Sequence, residues 1–147
     1  MRLTRFTDYS LRVLIYLGQN DQSRVTINQI SESYDISKNH LMKVVSNLTR
    51  LEFVSAQRGP GGGIQLNRTP EDISLNDVIR NTEKHFVATD RETASDNHEA
   101  TADTRLKSYL KSAMQAYLDA LGRFTLADVL ESKAEAIQVL DLSEKAA

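Results

Sequence analysis

The chain has 147 residues, enough for one hydrophobic core with an appended helix and too few for two large domains. It contains no cysteine, which excludes disulfides, thiolate-held metals and thiol nucleophiles on its own side chains, and its apolar runs fall short of the ~20 residues of a membrane span. The net charge of −2 conceals a polarity: residues 1–68 carry 9 Lys and Arg against 5 Asp and Glu, while residues 69–147 carry 9 against 15, so the first half alone suits a polyanion.

A first helix is predicted from about Thr4 to Leu17, with an apolar face of Phe6, Tyr9, Leu11, Val13, Leu14, Tyr16 and Leu17 and with Gly18 as its stop. Thr26-Ile27-Asn28-Gln29 has the form of a capping box and opens a second helix over Ile27, Ile30 and Tyr34. Asp35-Ile36 makes a turn. Ser37 is the expected N-cap of a third helix, whose apolar residues Leu41, Val44, Val45, Leu48 and Leu51 recur at intervals of three and four. Two short strands, Phe53 to Ala56 and Ile64 to Leu66, flank the glycine-rich stretch Gln57 to Gly63 as a hairpin. Pro70 and Ser74 introduce a further helix that carries Leu75, Val78 and Ile79 and ends near Glu83.

From Ala88 to Asp103 the sequence holds no Val, Ile, Leu, Met or aromatic residue, a composition that predicts a mobile loop. A long helix follows from about Thr104 to Leu121, with Leu106, Tyr109, Leu110, Ala113, Met114, Tyr117 and Leu118 at helical spacing. Thr125 begins a last short helix, and Ser143 to Ala147 is read as a frayed end. The organisation expected is a unit over 1–83, a loop over 84–103, and a helix with a tail over 104–147.

Three helices followed by a two-stranded hairpin is the order of a winged helix-turn-helix, so the fold class expected is mainly α with a small wing, and the apolar stripe of the long C-terminal helix asks for a partner surface that would make it a dimerisation helix. The third helix, the one that would lie in the major groove, presents Ser37, Lys38, Asn39, His40, Lys43 and Asn47 away from its apolar stripe. Lysine suits phosphate or guanine, and asparagine can pair with both polar atoms of an adenine edge. In the wing, Arg58 stands beside Gly59, Gly61 and Gly62, glycines that allow close approach to a sugar-phosphate chain. Arg2, Arg5 and Arg12 near the first helix and Thr26 at the start of the second complete the set of expected DNA contacts. A nucleotide-binding phosphate loop is disfavoured, because Gly59-Pro60-Gly61-Gly62-Gly63 lacks the Lys-Ser or Lys-Thr ending. No nucleophile-base pair stands out, so no enzyme activity is expected.

These residues resemble the NsrR/IscR family of bacterial winged-helix transcription regulators over nearly the whole chain. The resemblance rests on Phe6-Thr7-Asp8-Tyr9, Ser37-Lys38-Asn39-His40-Leu41, Arg58-Gly59-Pro60-Gly61-Gly62-Gly63, Pro70-Glu71-Asp72-Ile73 and Thr125-Leu126-Ala127-Asp128, and is closest to the NsrR branch. It implies a cytoplasmic homodimer that represses transcription from a partly palindromic operator, the long helix packing against its mate through its apolar stripe. It also implies that Asn39, Met42 and Lys43 lie where bases are read, with Met42 in place of the acidic residue of IscR.

Such regulators usually hold an iron-sulfur cluster on three cysteines between the fourth helix and the dimerisation helix, because soft thiolates suit iron. Here that stretch has none. One register sets Thr104 and His98 near two of the cysteine positions; another gives Ala88, Ala94 and Ala100 the ligand spacing. Both registers stay open. Neither supplies thiolates, so no cofactor is expected. Control by a small molecule, a metal or a protein partner is the alternative, the metal option drawing on Asp8, Asp96, His98 and Glu99.

Overall fold

Thr4, in extended backbone conformation, ends one stretch of chain and starts a helix: its hydroxyl accepts the Thr7 N–H at 3.3 Å. The computed structural model describes residues 2–83 and 102–131. In chain order the elements are α1 (Arg5–Gln19), α2 (Ile27–Tyr34), α3 (Lys38–Arg50), β1 (Val54–Gln57), β2 (Gly63–Leu66), α4 (Leu75–Thr82), α5 (Ala102–Leu121) and α6 (Leu126–Leu130), with a single 3-10 turn over Pro70–Asp72 before α4.

Each of the first three helices has a side-chain N-cap. In α2 the capping box is complete: Thr26 Oγ1 accepts from Gln29 N, and Gln29 Oε1 accepts from Thr26 N at 2.7 Å. Asp35 ends α2 in the left-handed region, φ 52°, and Ser37 opens α3 by accepting the His40 N–H at 3.3 Å. The two helices are thus joined by a tight turn. Leu41, Val44, Val45 and Leu48 enter one core with Val13, Leu14 and Leu17 of α1, Ile30 of α2, Phe53, Val54 and Ile64.

β1 and β2 pair antiparallel, with Val54 opposite Leu66 and Gln57 opposite Gly63. Val25 forms a further bridge to Ile64, through Val25 N to Ile64 O at 2.9 Å and the reverse bond at 2.8 Å. That pairing ties the wing to the start of α2.

Gly18 does not stop α1. The helix runs on to Gln19, and a Cβ on Gly18 would collide with the Leu130 side chain of α6. The glycine leaves room for the Leu130 side chain of a neighbouring helix, and α1 continues past it instead of ending there. The last short helix therefore belongs to the same core: Leu126 is buried there, and Leu126 N donates to Ile73 O at 2.8 Å.

The long helix begins at Ala102, so Ala102 and Asp103 are helical rather than loop. Thr104 lies in that helix too. Leu118 is buried, 4% exposed, on a helix that packs against α4, so its own chain already covers it. Leu106, Tyr109 and Leu110 are instead 57%, 69% and 59% exposed. Ala88, Ala94, His98 and Ala100, with the rest of 84–101, and the tail over 132–147 lie outside the described residues.

Candidate nucleic-acid interface

The start of α3 is shaped by Ser37 and His40. Ser37 Oγ accepts the backbone N–H of His40 and lies 3.0 Å from His40 Nδ1, while the Tyr9 ring of α1 sits 6.1 Å from the imidazole. The first turn of α3 is held at both its backbone and its side chains. Lys38, Asn39, His40, Met42 and Lys43 are all exposed along this half of the helix. The free N–H groups and the helix dipole add positive potential at the same end.

Asn47 departs from the expected exposed face. It is half-buried, and its Oδ1 accepts from Arg50 at 2.7 Å, so the exposed face is concentrated in the first two turns.

At the wing tip, Arg58 is exposed. Gly59 and Gly61 adopt φ values of 91° and 73° with open space where a Cβ would be, so they are glycine for backbone conformation. Gly62 differs. A Cβ there would strike the Gln57 carbonyl, and Gly62 N donates to Gly59 O at 2.9 Å. Gly62 thus closes the turn on itself, a local role that the approach of a ligand does not explain.

The basic residues divide into free and committed. Arg2 and Arg5 are exposed. Arg12 pairs with Asp8 at 3.0 Å and lies 5.5 Å over the Tyr34 ring, which fixes it on the surface between α1 and α2. Arg68, counted in the basic half, is spent on structure: it bonds the carbonyls of Leu51 and Glu52 at the end of α3 and covers the Phe53 ring at 4.7 Å. Thr26 is exposed, but its hydroxyl and amide are both engaged by Gln29.

One buried acid escaped sequence reading. Glu83, 5% exposed, accepts the Thr4 N–H at 2.6 Å and so joins the end of α4 to the start of α1. α4 packs against both α1 and α5, and there burial, and secondly the Glu83 charge, raise the pKa of Tyr117 in α5. No local pattern marks Glu83, because its partner is 79 residues away.

The donor set does not fit a thiolate-held iron-sulfur group. The sequence has no cysteine, Asp8 is paired with Arg12, and among the described residues no three His, Cys, Asp or Glu gather as a metal site. No helix among them is long and apolar enough to cross a membrane.

Comparison with known proteins agrees with this geometry. Residues 3–132 match the family model Rrf2, described as an iron-dependent transcriptional regulator. The HTH-type transcriptional regulator NsrR of Bacillus subtilis is 42% identical over 146 residues, covering 98% of this chain and 100% of the relative. That of Bacillus licheniformis is 46% identical over 132 residues, 88% of this chain and 92% of the other. Among solved structures, T. potens IscR superposes with a TM-score of 0.73 at 24% identity, covering 92% of this chain and 90% of its own, a likeness of fold. The relatives are transcription regulators, not enzymes, and the winged helix-turn-helix expected from the sequence is the fold observed. The chain belongs to the Rrf2 family and is an NsrR-like, DNA-binding transcriptional regulator.

Proposed function

We propose that this regulator is a cytoplasmic homodimeric repressor that recognises a partly palindromic operator through α3 and steadies itself on the backbone through the wing. The observation that carries the reading is the first half of α3. Ser37 and His40 fix its start, and Lys38, Asn39, His40 and Lys43 stand exposed on it, away from a core-facing stripe. Lys38 and Lys43 supply charge for phosphate or guanine, and Asn39 supplies paired donor and acceptor for a base edge. Arg58 reaches along the duplex from the wing, and Arg2 and Arg5 add phosphate contacts at the start of α1. In this division of labour residues 1–83 bind DNA, 84–101 stand in place of the sensor loop, and the part from Ala102 onward dimerises.

The exposed stripe of α5 supports the dimer reading. Leu106, Tyr109 and Leu110 lie at i, i+3 and i+4 with most of their area in solvent, an apolar stripe that asks for cover. A two-fold partner places two reading helices on successive turns of one DNA face.

The signal enters by a route other than a cysteine-held cluster, as a small molecule, a metal or a protein effector. The absence of cysteine from the sequence favours this reading. An absorbance spectrum and metal analysis of protein purified without oxygen test it. Iron-sulfur absorption with stoichiometric iron would overturn it.

Selection from a random duplex pool, followed by fluorescence anisotropy at physiological salt, tests the main proposal. A partly palindromic sequence should emerge and bind at least about a thousandfold more tightly than scrambled DNA. Equal affinity for both refutes sequence-specific repression.

A further inference from the structure

Met42 is the large apolar side chain that α3 leaves in solvent, 57% exposed, whereas Leu41, Val44, Val45 and Leu48 are buried. An isolated exposed methionine on an ordinary surface needs no explanation. This one stands amid Asn39, Lys43 and Ser46, all exposed, on the face that the proposed function turns toward the major groove. The major-groove edges of the four base pairs offer donors and acceptors and one apolar group, the C5 methyl of thymine.

The spacing fixes a neighbour. Asn39 and Met42 are three residues apart on one helical face, about 4.5 Å along the axis, close to the ~3.4 Å between successive bases of a strand. With α3 lying along the groove, as the proposed function has it, the two side chains can reach neighbouring steps. Asparagine pairs with N6 and N7 of adenine, and the unbranched, polarizable thioether can mould itself to a methyl group.

We propose that Met42 is a specificity-determining residue that packs against a thymine C5 methyl in each half-site, next to an adenine read by Asn39. The inference rests on the DNA reading given above and deepens it by naming the base chemistry recognised.

The experiment replaces each thymine of the selected operator, one at a time, by deoxyuridine, which removes the methyl and keeps the pairing edge. Wild-type protein should lose about fourfold in affinity at one thymine per half-site, the equivalent of one buried methyl group, and little at the others. Met42→Ala, which alters both protomers of the dimer, should lose the square of that, roughly sixteenfold, on intact operator and nothing further on the deoxyuridine operator. Its thermal midpoint should match wild type, because the side chain is exposed. Wild-type binding insensitive to every thymine methyl, or a Met42→Ala protein as sensitive as wild type, overturns this inference alone. A pool that enriches no sequence overturns the sequence-specific reading and this inference with it.

Discussion

Glu83 and Arg58 are charged residues at opposite extremes of burial, and their environments assign them opposite kinds of consequence. Glu83 is buried against the Thr4 N–H, so removing its carboxylate leaves a backbone donor without its acceptor. Glu83→Ala should cost about 1–3 kcal/mol in urea unfolding, and Glu83→Gln, which keeps an acceptor oxygen, should cost less. Equal stability of Glu83→Ala and wild type would mean that the bond contributes nothing. Arg58 is exposed at the wing tip, where substitution should leave stability within about 0.5 kcal/mol of wild type. Its effect belongs to DNA binding: Arg58→Ala should weaken affinity and lower the slope of log affinity against log salt by about 1 per protomer. An unchanged slope would remove Arg58 from the phosphate contacts. Arg58 could be singled out from sequence because a glycine-rich tip announces a loop, whereas Glu83 could not, since burial of an acid depends on which distant backbone group meets it.

At the scale of elements, the cap of α3 links stability to the recognition role proposed for this helix. Ser37 accepts the His40 amide and contacts the imidazole, so Ser37→Ala should destabilise the protein by about 1 kcal/mol and weaken operator binding as the first turn frays. Ser37→Asp separates the two effects. An aspartate keeps the cap and favours the helix dipole, yet it sets a negative charge facing phosphate. Its thermal midpoint should stay near that of wild type while DNA affinity falls; tight operator binding by Ser37→Asp would place the start of α3 away from the DNA backbone. The caps at Thr26 and Ser37 and the apolar period of α3 were legible because each depends on residues within one or two turns. The bridge from Val25 to Ile64 and the notch at Gly18 were not, because each is specified by a segment far along the chain. The same distinction holds at the candidate interface: the exposure of Lys38, Asn39, His40 and Lys43 follows from helix phase, whereas the diversion of Arg68 to the carbonyls after α3 needs the folded chain.

For the whole molecule, α5 is held at one end and bare at the other. Leu118 is buried within the protomer while Leu106, Tyr109 and Leu110 are mostly solvent-exposed, so among the described residues only the C-terminal part of the stripe is covered. A charge introduced in the bare part acts on association rather than on the core. Leu110→Asp should therefore convert the protein to a monomer by light scattering while its circular dichroism per residue stays close to that of wild type. Operator affinity should fall on the order of a hundredfold, because two linked reading helices bind one site with an avidity that separate chains lose. Affinity for a single half-site should be nearly unchanged, since α3 and the wing are built from the residues that precede α5. A Leu110→Asp protein that stays dimeric and binds the full operator as wild type does would move the dimer contact off this face of α5. Loss of half-site binding would show instead that α5 supports the reading helix within its own chain, through the packing of α5 on α4 and the junction at Glu83.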